Sequence, residues 1–570
     1  MTRLAATLSL LLLVSPAAAS VRGTIIGNGQ PVANAKVIAY ATESGEEMIA
    51  RAAANRPRSA LATATSAADG TFTLPVDGAG CVVVRVDATG FASSYAEEAL
   101  GDSDVLISLA PKKPRAFTLR LPGGPVGGAR VVVFNQYGLA ETTTDERGKF
   151  TIDDVGEAAM LVIDPRVALQ YAMVQPNNGV VQVDAGVPLK GKVVDAHGAG
   201  VGGARIVIDS VPAAVSAADG SFTIERAPRH YQLLSAEAGD LGGHIGPTSG
   251  TPLIRVTPHL SVSGVLRDAE RRPLRGLAVM LVRDDDNASA VTDAKGNFTL
   301  RVAPGKYAAF VVSTIYRMDG AEFHVQNAVV RDLVAKRAPI FAGIVTDEDN
   351  KPVAGAQLTF AMDAPDEEMM TMFERMVPPS LGDFTTGPDG RFRIAVAQLP
   401  DEVRLVAYKR GLPPAESDIL EPGKDHRDVT LVLRKGVEVG GTVRDTAGHP
   451  LAGVAVKALR GRRILFGGLA DPLLTDSEGR FSTRVVAGSW RMTFSKDGYL
   501  PRVLPQVEVV PGIRPLSVNL DPAASIRGRV VRKDGSGVAD VMIVEQMTAP
   551  AMTAADGSFA LPNVSPGAHV

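Results

Sequence analysis

Val291-Thr292-Asp293-Ala294-Lys295-Gly296-Asn297-Phe298 is a polar turn closed by glycine, with an aromatic residue two positions on. Six other stretches repeat its ending: Gly70-Thr71-Phe72, Gly148-Lys149-Phe150, Gly220-Ser221-Phe222, Gly390-Arg391-Phe392, Gly479-Arg480-Phe481 and Gly557-Ser558-Phe559. Successive phenylalanines stand 72 to 94 residues apart. That period is too long for a solenoid unit and suits a small self-contained domain. The chain reads as a series of seven such domains. Glycine closes the turn because it takes a positive φ that other residues resist. Beyond it Phe298, Leu300 and Val302 alternate, so the repeated Phe is the first inward-facing residue of a strand.

The fourth repeat supplies the rest of the pattern. Val262-Ser263-Gly264-Val265-Leu266 alternates as a strand, its glycine marking a bulge or a close backbone approach. Asp268 to Arg272 turns the chain, and Leu277 to Val282 is an apolar run expected to be a strand buried on both sides. Ala303-Pro304-Gly305 turns it again before a strand from Tyr307 to Val312. The opening glycine recurs at Gly23, Gly191, Gly343, Gly441 and Gly528, while the second copy, Phe117-Thr118-Leu119-Arg120-Leu121, lacks it. Short strands separated by Gly, Pro and Asp turns predict an all-β fold of antiparallel sandwiches. The 58 glycines and 38 prolines agree with many turns.

This grammar resembles the carboxypeptidase regulatory-like domain, a sandwich of the transthyretin type also grouped with carbohydrate-binding-like folds. The resemblance rests on Gly264-Val265-Leu266, Pro352-Val353-Ala354-Gly355-Ala356, Thr475-Asp476-Ser477-Glu478-Gly479-Arg480-Phe481 and Pro304-Gly305-Lys306-Tyr307. It divides the chain into a signal peptide (1–20) and repeats at 21–112, 113–186, 187–258, 259–337, 338–435, 436–522 and 523–570. The connectors Pro111-Lys112-Lys113-Pro114 and Lys336-Arg337-Ala338-Pro339 leave little slack, so an extended row of beads is expected. Only 11 residues follow Phe559, so the seventh repeat reads as incomplete and the natural chain is expected to continue past Val570.

Arg3, the apolar run Leu8 to Val14 and the small residues Ser15 to Ser20 form a secretory signal peptide too short to span a bilayer. Export to the periplasm, cell surface or exterior is expected, and no later segment predicts a membrane span. With 59 basic against 62 acidic residues, the net charge of -3 argues against nucleic acid as a partner. The single cysteine, Cys81, excludes an intrachain disulfide.

Chemistry is sparse. The histidines His197, His230, His244, His259, His324, His426, His449 and His569 fall in no metal motif, and no nucleophile elbow or phosphate loop is present. No enzyme activity and no cofactor are expected. Asp284-Asp285-Asp286-Asn287 is a weak calcium candidate, and Asp347-Glu348-Asp349-Asn350 is explained as turn chemistry. Trp490 occupies the slot of Tyr307 and reads as core, leaving a carbohydrate role to fold analogy alone.

The repeats differ in their insertions, where function tends to sit. Glu43 to Ala60 predicts a helix over 45–54. Asp363 to Pro379 puts Met369, Phe373 and Met376 on one helical face, either a lid or a partner site. Arg460 to Leu474 carries Ile464, Leu465 and Phe466, either an exposed contact surface or a loop tucked on its own sandwich. The expected function is a non-enzymatic, exported bacterial scaffold whose loops bind protein or polysaccharide at the cell envelope. The alternatives are a carbohydrate-binding protein and the accessory region of a longer envelope enzyme or receptor.

Overall fold

The repeated glycine–phenylalanine signature becomes a cross-strand pair. In the fourth repeat, Gly264 on the strand Leu260–Arg267 lies directly opposite Phe298 on Asn297–Val302. The same pairing joins Gly23 to Phe72, Gly191 to Phe222, Gly343 to Phe392, Gly441 to Phe481 and Gly528 to Phe559. Phe117 faces Phe150 in the second repeat, where the two rings stack at 5.5 Å instead. A methyl at Gly23, Gly264, Gly343 or Gly441 would collide with a carbonyl oxygen of the closing strand segment. Each of these glycines therefore marks a close backbone approach. The turn glycines preceding the phenylalanines all hold φ between 71° and 84°.

These features come from a computed structural model, which describes residues 20–570 apart from 103, 135–138, 154–157, 170, 175–178, 230, 249, 284–285, 365–383, 398, 401, 422, 462, 467–472, 539–540, 544–550, 555, 565–566 and 568–570. The fold is all β but for one described helix, Gly45–Ala53. The fourth repeat shows the layers. One sheet centres on Leu260–Arg267, antiparallel to Asn297–Val302 and parallel to Val329–Val330 and Leu333–Val334. The other runs Asp286–Val291, Ala278–Arg283, Gly305–Val312, Ala321–Val325, antiparallel throughout. The closing strand thus adds one parallel ladder that the purely antiparallel expectation omits. The first, second, third, fifth and sixth repeats use the same two-sheet plan.

Side chains between the sheets form an apolar core in each of the first six repeats, that of the fourth including Val262, Leu281, Phe298, Tyr307 and Phe323. Alternation decides which residues enter it: Val279 and Leu281 are buried, Met280 and Val282 only half-buried. The strand is therefore one-sided, which corrects the expectation of burial on both faces. Phe72, Phe150, Phe222, Phe298, Phe392 and Phe481 are all 5 % exposed or less. Phe559 is half-buried, in a repeat whose described residues form two two-stranded ladders.

A second repeated device was not read from the sequence. Ser66, Thr144, Ser216, Thr292, Thr386, Thr475 and Thr553 are buried, one at the head of each signature turn. Their hydroxyls accept from the backbone N–H of Ala35, Ala129, Ala204, Leu277, Ala356, Val454 and Val541 at 2.8–3.0 Å. Those of Ser66, Thr144, Ser216, Thr386, Thr475 and Thr553 also donate to the carbonyls of Val32, Val126, Val201, Val353, Leu451 and Val538. One small hydroxyl thus satisfies a buried donor and a buried acceptor, which would otherwise be costly.

The repeats follow one another in the chain, yet the series folds back. The first repeat meets the fourth through a bridge between Gly80 and Arg275. It meets the fifth through a 2.8 Å hydrogen bond between the hydroxyls of Ser108 and Thr385. These contacts replace the fully extended row expected from the proline-flanked connectors. Stiff links set local direction, but the faces of the sandwiches decide where the series goes.

Candidate functional site: insertions, a cleft and the seam between repeats

The helix in the first repeat begins at Ser44, whose hydroxyl accepts from Glu47 N while Glu47 caps Ser44 N in return. That reciprocal box and the acidic first turn explain why the insertion is helical. Its apolar residues Ile49 and Ala52 join a core cluster with Val132, Phe134 and Leu161 of the second repeat and Ile206 and Phe222 of the third. Arg205 reaches Glu46 at 2.6 Å, and Arg130 donates to the Ala52 carbonyl at 2.7 Å. The insertion fastens three repeats together.

The sixth repeat does the same by another route. Arg463–Leu465 pairs antiparallel with the fifth repeat's strand Gln357–Asp363. Ile464 is buried against Ala364, Phe466 packs on the fifth repeat's core, and Phe466 N donates to Phe360 O at 2.9 Å. Arg463 ion-pairs with Asp363 and with Glu416, the latter at 3.2 Å. The triplet thus meets neither of the two surfaces expected for it: its surface is the neighbouring repeat. Met369, Phe373 and Met376 lie outside the described residues.

A cleft of about 290 Å³ opens at this junction, lined among others by Glu416, Thr430, Arg434, Arg460 and Trp490. Trp490 is 3 % exposed, donates its indole N–H to Val486 O at 2.7 Å, and lies under the Arg460 guanidinium at 5.6 Å. Tyr307 repeats each feature, with its hydroxyl on Ala303 O at 2.9 Å and Arg283 over its ring at 5.1 Å. The shared geometry makes Trp490 a core residue with a polar tip, and its covered ring offers no sugar platform. Burial raises the carboxyl of Glu416 above its ordinary range.

The densest buried polar cluster lies where the first repeat meets the fourth and fifth. Cys81, 1 % exposed, points out of its own sandwich into the fourth repeat's core cluster. Its thiol donates to Glu97 Oε1 at 3.1 Å, with the Gly276 carbonyl 3.3 Å away. Glu97 Oε2 accepts from Ser313 Oγ, Thr314 N and Thr314 Oγ1 at 2.7–3.0 Å. Asp102 accepts from Arg337 and Arg393, each at 2.9 Å, and Arg393 also reaches Asp104 at 3.1 Å. Burial, then the neighbouring Glu97, push the Cys81 thiol well up, so it stays protonated and is a poor nucleophile. Burial also pushes Tyr316, beside Arg337, up to about 12. The cluster joins repeats, and its acceptors are already engaged by protein donors.

The remaining sequence candidates are scattered. His426 stacks on Phe341 at 5.4 Å, His449 contacts Asp445 at 3.1 Å, and His230 and His569 lie outside the described residues. Among the described residues no group of three or more His, Cys, Asp or Glu could hold a metal. Asp284 and Asp285 lie outside them, as does the side chain of Asp286. Asp347 caps its own turn, accepting from Asp349 N and Lys351 N at 2.9 Å. No described helix is long and apolar enough to cross a membrane.

Residues 438–521 match the carboxypeptidase regulatory-like domain family. The matched segment is the sixth repeat, whose two-sheet plan and Gly–Phe pair are those described above. No curated protein matches the chain. Among solved structures, a Streptococcal ancillary pilin aligns at 14 % identity over 46 % of this chain and 99 % of its own, with a TM-score of 0.16. The Bacillus anthracis TIE protein aligns at 13 % identity over 79 % and 73 %, with a TM-score of 0.15. The major pilin RrgB from Streptococcus pneumoniae aligns at 10 % over 73 % and 99 %, with a TM-score of 0.12. Scores this low bear on neither the arrangement of the repeats nor their function. The chain is a multidomain β-sandwich protein in which residues 438–521 are similar to the carboxypeptidase regulatory-like domain.

Proposed function

We propose that the chain is a non-enzymatic scaffold of seven regulatory-like repeats, divided as the signature period divides it. It is exported by its first twenty residues and works at or near the cell envelope, where it binds protein or polysaccharide. One observation carries the reading. Buried Glu97 and Cys81 and half-buried Asp102 are all engaged in joining one repeat to another. Two of the three long insertions are likewise spent on neighbouring repeats. That leaves the Asp363 to Pro379 insertion, with Met369, Phe373 and Met376, as the preferred binding loop. A carbohydrate-binding reading has less support, since Trp490 is covered.

Replacing residues 365–378 with a short Asp-Ser turn like that of the third repeat tests the loop. Co-sedimentation with isolated envelope material should be strong for the unaltered protein and largely lost for the variant, with both giving the same β circular-dichroism spectrum. Equal sedimentation of the two proteins, or none by the unaltered one, contradicts the reading.

A further inference from the structure

The joints between repeats are of different kinds, and the difference has a direction. Repeats one to three are fastened by the apolar face of a helix, through Ile49 and Ala52. Repeats five and six share a strand ladder. The seam of the first repeat against the fourth and fifth is mostly polar. Beside the backbone bridge, in which Cys81 N donates to Arg275 O and Arg275 N to Ala79 O, it holds Glu97 on Thr314, Asp102 on Arg337 and Arg393, Asp104 on Arg393, and Ser108 on Thr385. Its apolar share comes chiefly from the small residues Cys81 and Ala99, with Ala79 and Ala395 beside them. Among the described residues, the cores of repeats one and five contain no residue of the other blocks except the sixth repeat's Phe466.

Polar interfaces between domains are the ones that move. Charges taken out of water are a weak source of net stability, yet removing one of a buried pair leaves the other uncompensated. We propose that this seam is a latch, held by Asp102, Arg337 and Arg393 together with Glu97 and Thr314, whose release swings the first three repeats away from the later ones while every sandwich stays folded. The proposal goes beyond the scaffold reading, because a latch can exist whatever the loops bind.

Salt weakens the latch by screening the partly exposed Arg337–Asp102 pair.

Cys81 is a built-in reporter, since the fourth repeat covers it. Reaction of its thiol with an aromatic disulfide reagent is followed in the full mature chain, beside small-angle scattering. For the unaltered protein the reaction should be slow and speed up with salt to about 1 M, where screening acts within about 3 Å. Asp102→Asn should speed it by about tenfold or more at low salt, enlarge the particle, and abolish most of the salt effect. Arg337→Gln, at a more exposed position, should do the same to a smaller extent and guards against a folding defect. Unchanged Cys81 protection in both variants overturns the latch. So does exposure that appears only together with loss of the β circular-dichroism signal.

Discussion

Phe298→Ala is expected to destabilise the fourth sandwich by about 3–5 kcal/mol, a large part of what a small domain has. The ring is 3 % exposed and lies opposite Gly264, which has no side chain to fill the space it vacates. Gly264 cannot be enlarged in compensation, because a methyl there meets the Arg331 carbonyl. Hydrogen exchange in the full chain reads the effect locally. Protection over the strands Leu260–Arg267, Ala278–Arg283 and Gly305–Val312 should fall by roughly two to four orders of magnitude, while the sixth repeat keeps its own. A loss below about 1 kcal/mol would contradict the assignment of this residue as the central core side chain. The equivalent change at half-buried Phe559 should cost less.

Gly343→Val is the second large effect. Gly343 on the strand Ile340–Asp347 is clamped between Phe392 on one neighbour and Val429 on the closing strand His426–Leu433. A side chain there runs into the Val429 carbonyl and amide, which are backbone and cannot rotate away. The closing strand must shift or detach, at a cost of about 3 kcal/mol or more. Limited proteolysis should then cut the fifth repeat first, near His426–Leu433, at temperatures where the unaltered protein resists. Unaltered resistance would mean that the close approach is not needed for the sheet. The second repeat carries Phe117 at this position, its ring stacked on Phe150.

Both effects were legible in the sequence, because they repeat. A phenylalanine fixed in register after a positive-φ turn leaves a trace at each of seven positions, and the glycine opposite it at six. The buried hydroxyls repeat too, but Ser66 and Ser216 alternate with five threonines in polar turns, where either residue is ordinary. Their role shows only once the chain of the second strand is seen bending over them. The seam was not legible at all. Asp102, Arg337 and Arg393 are surface-type residues far apart in sequence, and no periodicity relates them. The Ile464-Leu465-Phe466 triplet could be recognised as a contact, but not which sandwich it contacts. Local physics writes itself into every copy, whereas the relation between copies depends on faces that occur once.

The folded-back arrangement is tested most directly by a covalent link across it. Ser108 and Thr385 are 277 positions apart in the chain, and their hydroxyl oxygens lie 2.8 Å apart. Cysteines at the two positions would carry their sulfurs to the same contact. In the protein carrying Ser108→Cys and Thr385→Cys, mild oxidation should join the two in nearly every molecule. Non-reducing electrophoresis should show a shift that either single variant lacks, and peptide mapping should find the 108–385 bond. Two free thiols after oxidation, with the bond absent or found only between molecules, would contradict the contact between the first and fifth repeats and the latch built on it.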